Sequence, residues 1–565
     1  MQHVLKLTLI PFLLLAACTP AGVESEQSAA DLVLRGAKVA TVDAAFSIRE
    51  AVAVRDERIV FIGSDDDATA WIGPRTRVLE LDGGLVLPGL IDGHAHLHSL
   101  GEAMTYLNIT GTRSYDEVVR AVAEGAARAA PGQWLRGGRW DHNDWADNEF
   151  PTHTPLSAVS PENPVYLSRV DGNSALVNAR AMALAGITRH TPDPPGGRIV
   201  RDARGEPTGV LINRAMNLVK EVMPADDEET LRRKFLLAAE DCLTRGLTGV
   251  HEAGVGPREI ALYKRLIDAG EMPLRLYAML GDQAHPVIEG DLAAWFRQHK
   301  VLNYGGRHLL DVRCVKLFFD GALGSRGAAF FESYADDPGN SGLLRITPDY
   351  IYEVTRAALA EGMQVGTHCI GIRGNRLCLE AYGRALAEVP AGDYRLRIEH
   401  AQIVRPEDVA LFASLGVLPA MQPTHCTSDM PFVEDRIGPQ RARGAYAWRW
   451  FRDAGLVIPC GSDFPVESND PLKGIYAAVT RQDEDGAPAA GWHPEQRLTR
   501  EEAVRGFTIW AAYGAFQEER LGSIEVGKLA DFTILDTDIL TVPPPEILKA
   551  DVLYTIVGGR IQYAR

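Results

Sequence analysis

LPGLIDGHAH, spanning Leu87 to His96, is the segment from which the architecture of this chain can be worked out. A short apolar run with Pro and Gly at its entrance ends in a His-x-His pair. Residues two apart on a β-strand point to the same side, so His94 and His96 would leave the strand end together. Two adjacent imidazoles are suited to binding one metal ion. The pair alone also fits two solvated histidines in a loop. The rest of the chain must therefore decide between a metal site and such a loop.

The bulk properties are those of a large, acidic globular protein. The chain has 565 residues, of which 46% are hydrophobic and 24% charged, and its net charge is −17. This length predicts a large domain accompanied by at least one smaller domain. The negative charge argues against a nucleic-acid partner and against a polybasic membrane surface. It favours a neutral or cationic small molecule as the substrate.

The first thirty residues are predicted to be a targeting segment and a tether. Lys6 precedes an apolar run over residues 7–17, which is too short to span a bilayer and has the length of a signal-peptide core. Its Leu-Ala-Ala-Cys end resembles the bacterial lipobox, which implies a signal peptide over 1–17 and lipid attachment to Cys18. Residues 18–30 would form the tether. We expect a cell-envelope protein on the periplasmic side of the outer membrane, in contact with the membrane only through its lipid. An ordinary signal peptide is the alternative.

Two strand-rich ends flank a long middle segment. Residues 31–88 and 518–565 contain short alternating strands with turn residues, which predicts one small β-sandwich domain built from both ends. Residues 89–517 alternate apolar runs with helical stretches, which predicts βα units. Eight strand candidates are found there: LIDGH, LTGVH, LRLYAML, VRCVKLFF, MQVGTH, LRIEH, VLPAMQ and LVIPCGSD. The predicted fold class is therefore α/β, a (β/α)8 barrel of the TIM type.

An insertion is predicted after the first barrel strand. Residues 103–225 are rich in Trp, Pro and Gly and are too numerous for a plain connection between a strand and a helix. We interpret this segment as a lid subdomain over the barrel mouth.

Residues that can bind a metal ion stand at the ends of the predicted barrel strands. The active sites of such barrels lie at the C-terminal ends of the strands. A single histidine after a strand is commonly structural, but several at different strand ends favour a common site. In chain order these residues are His94, His96, Lys316, His368, His400 and Asp463.

Several segments together resemble the amidohydrolase superfamily. They are PGLIDGHAHLH, HCIG, RIEHAQ, GSDFPV and GSIEVGKLADFTIL. The segment VKLFFDGALGSRGA and the long insertion are similar to the branch that contains the N-substituted formamide deformylases. The resemblance covers nearly the whole chain after the signal segment. It identifies the family and leaves the substrate open.

The resemblance implies a site with two divalent metal ions. Its ligands would be the six strand-end residues: His94, His96 and Asp463 for one ion, His368 and His400 for the other, and Lys316, carboxylated on its amine, as the bridge. The apolar neighbours of Lys316 favour the neutral amine that carboxylation requires, whereas a pair with Asp320 is the alternative. Zinc suits this ligand set, and iron or manganese are the alternatives. Asp463 would act as general base and then as general acid.

The resemblance therefore implies a metal-dependent hydrolase. Metal-activated hydroxide would cleave a C–N bond of an amide or an N-substituted formamide. Hydrolysis of a lactone or another C–O bond, and hydrolytic deamination, use the same attack and stay open. Outside the enzymes, the alternative is a non-catalytic ligand-binding lipoprotein, against which the complete ligand set argues. A homodimer is compatible with the sequence.

Four further residues are predicted to contact the substrate. His251 follows the second predicted strand and Trp140 lies in the insertion, whereas Asp320 and Arg326 belong to the segment DGALGSRG. A structural hydrogen bond is an equal alternative for His251, and loop stabilisation is the alternative for Asp320 and Arg326. Asn173 stands where members of this branch often carry histidine, which puts a family-derived substrate contact there in doubt.

Overall fold

The computed structural model describes residues 29–146, 149–169, 174–281 and 291–565. The predicted signal peptide, the lipidation residue Cys18, nearly all of the tether and Asn173 lie outside the described residues. Within the described part, no helix is long and apolar enough to cross a bilayer.

The secondary structure of the described residues follows the predicted alternation. The strands are β1 (Leu32–Arg35), β2 (Lys38–Ala40), β3 (Ile48–Arg49), β4 (Ala51–Arg55), β5 (Arg58–Gly63), β6 (Arg77–Glu80), β7 (Leu85–Pro88), β8 (Leu90–Ala95), β9 (Leu107–Asn108), β10 (Leu135–Trp140), β11 (Val165–Arg169), β12 (Ser174–Val177), β13 (Gly197–Arg201), β14 (Pro207–Asn213), β15 (Leu247–Val255), β16 (Arg275–Gly281), β17 (Leu310–Phe318), β18 (Gln364–Cys369), β19 (Arg397–His400), β20 (Leu418–Ala420), β21 (Phe532–Leu535), β22 (Val552–Val557) and β23 (Arg560–Ala564).

The α-helices fall mainly between the barrel strands. They are α1 (Asp65–Ala68), α2 (Leu97–Thr105), α3 (Tyr115–Arg128), α4 (His153–Val159), α5 (Ala179–Leu184), α6 (Asn217–Lys220), α7 (Glu228–Thr244), α8 (Pro257–Asp268), α9 (Leu292–His299), α10 (Pro348–Ala360), α11 (Ile372–Leu386), α12 (Pro406–Leu415), α13 (Pro423–Asp429), α14 (Val433–Ala442), α15 (Trp448–Asp453), α16 (Pro471–Thr480), α17 (Arg500–Gly506), α18 (Ile509–Gly514) and α19 (Pro544–Ile547). Short 3-10 helices span Thr69–Trp71, His142–Asp144, Arg214–Met216, Tyr304–Gly306 and Pro494–Gln496.

Local sequence signals mark the starts of these helices. The side chain of Asp227 accepts a hydrogen bond from the backbone N–H of Thr230 at the start of α7. Thr347 does the same for Tyr350 in α10, where Pro348 occupies the first helical turn. Side-chain oxygens at this position pair the free N–H groups of the first turn, and proline there loses no hydrogen bond. These helices connect successive barrel strands and thereby place the strand ends at one mouth.

Both ends of the chain build one β-sandwich. One sheet has the strand order β5-β4-β1-β6 and the other β23-β22-β21-β7-β2-β3. In the second sheet, β7 from the N-terminal segment pairs antiparallel with β21 from the C-terminal segment. Apolar side chains of both sheets share a buried core, to which Leu34, Val52, Ile534 and Ile556 contribute. The composite sandwich predicted from the two strand-rich ends is therefore confirmed.

The central segment forms the predicted barrel. Seven parallel strands are arranged in the order β20-β19-β18-β17-β16-β15-β8. The eighth predicted strand, LVIPCGSD, closes the gap through backbone hydrogen bonds, although it is not a regular strand. The N–H of Gly93 in β8 donates to the carbonyl of Cys460 at 2.8 Å, and the N–H of Met421 beyond β20 donates to Pro459 at 3.0 Å. Proline lacks an N–H, so Pro459 cannot extend a regular ladder.

The insertion has a sheet and a core of its own. Its six strands follow the order β13-β14-β12-β11-β10-β9, and it lies between α2 of the first βα unit and α7. Trp140, Trp145, Leu156 and Leu167 belong to a buried cluster between this sheet and the helices α3 and α4. A lid function for this subdomain stays a prediction.

Candidate metal centre

The barrel brings the predicted ligands of four strands together. His94 comes from β8, Lys316 from β17, His368 from β18 and His400 from β19. The ring centroid of His400 lies 5.0 Å from that of His94 and 4.5 Å from that of His368. The Nζ atom of Lys316 lies 3.4 Å from Nε2 of His94. Residues that are far apart in the sequence thus share one small polar site.

Asp463 completes this group from the closing segment of the barrel. Its Oδ1 atom lies 3.0 Å from Nε2 of His96 and 3.5 Å from Nε2 of His94. One ligand atom from each of these three residues lies within 4.8 Å of the other two, which suits a single metal ion. Asp463 and His400 have backbone φ angles of 62° and 73°. Such left-handed backbone in a non-glycine residue is strained and clusters at functional sites.

Several buried atoms at this site have no hydrogen-bond partner within the described residues. They are Nε2 of His368, Nε2 of His425 and Oδ1 of Asp463. Buried polar atoms are normally paired, so three unpaired ligand-type atoms at one place fit a bound cation. Burial also lowers the pKa of His368 and of His400 well below the usual range. Neutral imidazoles are the form that binds metal, and the donor set therefore fits divalent ions.

Lys316 is fully buried among these ligands. Burial lowers the pKa of its amine, against the opposing effect of Glu399 and Asp463. Its Nζ atom lies 4.1 Å from the ring centroid of Phe318. A neutral amine is required for carboxylation, so this environment suits the modification that the family resemblance implies.

Glu399 and Arg397 form a buried support for His94. The Nδ1 atom of His94 lies 2.5 Å from Oε2 of Glu399, and Nε of Arg397 lies 2.8 Å from Oε1 of the same carboxylate. Burial would raise the pKa of Glu399, but Arg397 and His94 hold it below the usual range. A carboxylate on Nδ1 orients the imidazole so that Nε2 faces the site. Sequence reasoning missed this pair, although two charges inside the apolar strand RIEH were a signal, because buried charges are normally paired.

His425 is another site residue that sequence reasoning missed. Its Nε2 atom lies 3.7 Å from Oδ2 of Asp463, and its ring stacks on that of His400 at 5.8 Å. The ligand atoms of His400, His425 and Asp463 also lie within 4.8 Å of one another. Three residues earlier, Oε1 of Gln422 lies 2.7 Å from Nδ1 of His400. The only signal was that His425 follows shortly after the seventh predicted strand.

Asp92 connects the two chain segments that carry the first ligand set. Its carboxylate accepts hydrogen bonds from the hydroxyl of Ser462 at 2.6 Å and from the backbone N–H of His94 at 3.1 Å. Burial raises the pKa of Asp92 to about 7. The residue thereby couples the His-x-His strand to the segment of Asp463.

Trp140 and His251, which were predicted to contact the substrate, are both buried. Trp140 is fully buried in the core of the insertion, where its indole N–H donates to the carbonyl of Leu167 at 2.9 Å. His251 is 1% exposed, and its Nδ1 lies 3.1 Å from the guanidinium of Arg397. It lines a small internal cavity with Tyr277. The large apolar ring of Trp140 thus fills the subdomain core, and the geometry of His251 matches its structural alternative. A substrate contact of either residue stays a prediction.

Asp320 and Arg326 organise the loop after β17. The carboxylate of Asp320 accepts backbone N–H bonds from Ala329, Ile370 and Gly371 at 3.0, 2.9 and 2.8 Å. It also lies 3.7 Å from Nε2 of His368, and burial raises its pKa to about 7. Arg326 pairs with Asp336 at 2.8 Å. These contacts agree with loop stabilisation, the alternative to a substrate contact.

Comparisons with known proteins give a consistent result. The model of the amidohydrolase family matches residues 77–563. The chain is 34% identical over 553 residues to Protein LONG AFTER FAR-RED 3 of Arabidopsis thaliana, covering 96% of this chain and 92% of the relative. It is 30% identical over 542 residues to the N-substituted formamide deformylase of Arthrobacter pascens, covering 95% and 98%.

A solved structure supports the same assignment. An uncharacterized metal-dependent hydrolase from Pyrococcus furiosus superposes with a TM-score of 0.76 at 26% identity, covering 90% of this chain and all of that protein. Members of the amidohydrolase superfamily use divalent metal ions, for which the donor set described above is suited. The chain thus belongs to the amidohydrolase family and is a metal-dependent hydrolase.

Proposed function

We propose that the protein hydrolyses a C–N bond of an amide or an N-substituted formamide. The observation that carries the proposal is the set of buried, unpaired ligand atoms at the strand ends. The full-length relative that deformylates N-substituted formamides supports the choice of bond. In the proposed centre, the four histidines, Asp463 and a carboxylated Lys316 would hold two zinc ions.

The residues around the centre prepare it for proton transfer. Divalent ions, when bound, polarise a substrate carbonyl and lower the pKa of a water molecule. Burial would raise the pKa of Asp463, but the nearby imidazoles of His94 and His96 hold it well below the usual range. The carboxylate is therefore ionised and able to accept a proton on Oδ2, the oxygen that faces His425. Asp463 would then return this proton to the leaving nitrogen.

Metal analysis tests the centre directly. The purified protein should contain about two divalent ions per chain, as a two-metal hydrolytic site requires. Lys316→Ala should lose metal together with activity, whereas Lys549→Ala, at a surface lysine whose side chain is 68% exposed, should lose neither. One ion per chain, or full metal in Lys316→Ala, would exclude the bridge. No bound metal after metal has been offered would favour a ligand-binding lipoprotein.

A substrate panel tests the reaction. N-alkylformamides, N-acyl amines, lactones and amino-substituted heterocycles should be compared by the release of formate, amine, acid or ammonia. Formamides and amides are expected to be cleaved, and Asp463→Asn should abolish turnover while most of the metal remains. Cleavage of lactones alone, or release of ammonia alone, would support hydrolysis of a C–O bond or deamination.

We propose in addition that the chain is anchored to the cell envelope by a lipid on Cys18. The lipobox-like sequence before this residue supports the anchor. In a bacterial host, the native chain is expected in the membrane fraction and Cys18→Ala in the soluble periplasmic fraction. Equal distribution of both proteins would contradict the anchor.

A further inference from the structure

His425 is a histidine at the metal centre to which the proposed reaction assigns no role. It lies in α13, which begins shortly beyond the barrel strand β20. Its side chain is 12% exposed, and its Nε2 atom is buried without a hydrogen-bond partner within the described residues. Because buried polar atoms are normally paired, this nitrogen points to a partner that arrives with the substrate or with the metal ions.

The two carboxylate oxygens of Asp463 face different neighbours. Oδ1 lies 3.0 Å from Nε2 of His96 and 3.5 Å from Nε2 of His94, the two histidines proposed to bind the same ion. Oδ2 lies 3.7 Å from Nε2 of His425 instead. His425 therefore stands beside the oxygen at which the proton is accepted and then returned to the leaving nitrogen.

This proton transfer restricts where the scissile bond lies. A proton passes only between heavy atoms at hydrogen-bond distance, about 2.6–3.2 Å, so the leaving nitrogen must approach Oδ2 of Asp463. The nitrogen and the oxygen of an amide are bonded to the same acyl carbon. The gap of 3.7 Å between Oδ2 of Asp463 and Nε2 of His425 is short enough for one amide to contact both atoms.

The ring of His425 is held in place for such a contact. It stacks on the ring of His400, with the centroids 5.8 Å apart and the ring planes 15° from parallel. His400 is fixed in turn through Nδ1, which lies 2.7 Å from Oε1 of Gln422. Gln422 directly precedes α13, so one short segment positions both imidazoles. Preorganised donors of this kind stabilise charge that develops in a transition state.

The surroundings favour the imidazole tautomer with a hydrogen on Nε2. The ionised carboxylate of Asp463 faces this nitrogen through Oδ2, and an N–H group directed towards a negative charge is favoured electrostatically. At 3.7 Å the two atoms are too far apart for a hydrogen bond. The N–H group of His425 therefore stays available to an oxygen of the substrate.

We propose that His425 is a catalytic residue that donates a hydrogen bond from Nε2 to the carbonyl oxygen of the scissile amide or formamide. The donor stabilises the negative charge that develops on this oxygen during attack on the acyl carbon. This inference rests on the proposed function. Binding of a metal ion is the competing role, because the ligand atoms of His400, His425 and Asp463 lie within 4.8 Å of one another.

Binding of a tetrahedral anion tests the donor without turnover. Methylphosphonate, which carries negative oxygens around a tetrahedral centre, should be titrated calorimetrically into the metal-loaded protein. His425→Phe keeps an aromatic ring and removes the N–H group, so it should weaken methylphosphonate about tenfold while the metal content stays native. His425→Leu, a smaller apolar variant, should show the same loss. His190→Phe, at an exposed histidine of the insertion, should change neither value.

Kinetics connect the donor to the carbonyl oxygen. N-butylformamide and N-butylthioformamide differ only in the acceptor atom, and sulfur accepts hydrogen bonds weakly. His425→Phe should therefore slow the oxygen compound more than the sulfur compound, which lowers the oxygen-to-sulfur ratio of kcat/KM. A residue that only orients Asp463 would slow both compounds equally.

The outcomes distinguish this inference from the proposed function. If no formamide or amide is hydrolysed but methylphosphonate binding depends on His425, formamide and amide hydrolysis is refuted and the oxyanion donor stands. Loss of metal in His425→Phe would make His425 a ligand and overturn the inference. Native methylphosphonate affinity in both variants, or a native oxygen-to-sulfur ratio in His425→Phe, would overturn it even if formamides are hydrolysed.

Discussion

The buried carboxylate of Glu399 offers the sharpest test of how the centre is built. Glu399→Gln retains the size of the side chain and removes its charge. In the native protein this carboxylate lies 2.5 Å from Nδ1 of His94 and 2.8 Å from Nε of Arg397, and both ion-pair side chains are fully buried. The substitution leaves the guanidinium buried without a counter-charge, which costs about 3–5 kcal/mol of unfolding free energy.

The same change should loosen the metal centre. Without the carboxylate on Nδ1, the imidazole of His94 is less firmly oriented towards the ions, and loss of such a support typically lowers metal affinity about 10–100-fold. The two effects are measured separately. Chemical denaturation of the metal-free protein gives the loss of stability, and competition with a chelator of known affinity gives the loss of metal binding.

A surface ion pair provides the matched control. Glu380 pairs with Arg376 at 2.6 Å, but these side chains are 47% and 33% exposed. Glu380→Gln makes the same chemical change in water and should cost less than about 1 kcal/mol, with unchanged metal affinity. If Glu399→Gln cost no more than this control and retained native metal affinity, the buried support would have no energetic role and the reasoning would be refuted.

Three further outcomes are expected. His425→Gln should reduce kcat about tenfold or more while the metal content stays native. The reason is that Nε2 of His425 faces Oδ2 of Asp463, the oxygen proposed to accept the proton. A loss of metal in this variant would instead make His425 a ligand. Trp140→Ala should cost about 3–5 kcal/mol of unfolding free energy without changing KM, because the ring fills a core. A changed KM with native stability would instead support the predicted substrate contact. Burial would raise the pKa of Glu502, but hydrogen bonds, first that of Arg449, lower it from 4.5 to about 2. The stabilising contribution of ionised Glu502 is therefore complete above pH 4.5 and lost as the pH falls towards 2. The difference in unfolding free energy between the native protein and Glu502→Gln should narrow on acidification. A difference that stays constant with pH would contradict this prediction.

The ligand positions were predictable because they depend on strand ends alone. Parallel strands of a barrel all end at the same mouth, so a polar residue that ends an apolar run is placed there whatever the details of packing. This local rule located His94, Lys316, His368 and His400 in one site. It also predicted the eighth strand at its correct place, although Pro459 keeps that segment from forming a regular ladder.

The residues that contact the ligands from behind, Glu399 and His425, could not be predicted from strand ends. Glu399 contacts His94 across 305 residues of sequence, and this contact depends on the register of β19 against its neighbours. His425 reaches Asp463 only because α13 begins immediately beyond β20. Spacing in the sequence does not specify such registers and helix directions, because they result from the packing of the whole barrel.

Sequence alone therefore determined the composite sandwich, the barrel and the set of donors at its mouth, since hydrophobic periodicity and residue type are local properties. Tertiary structure decided which polar side chains serve the site and which serve the core. Trp140, predicted to contact the substrate, packs in the insertion, whereas Glu399 and Arg397, hidden in an apolar strand, orient a ligand of the centre. The physical reason is that a polar or aromatic side chain takes its role from the partners that burial brings to it, and those partners come from distant parts of the chain.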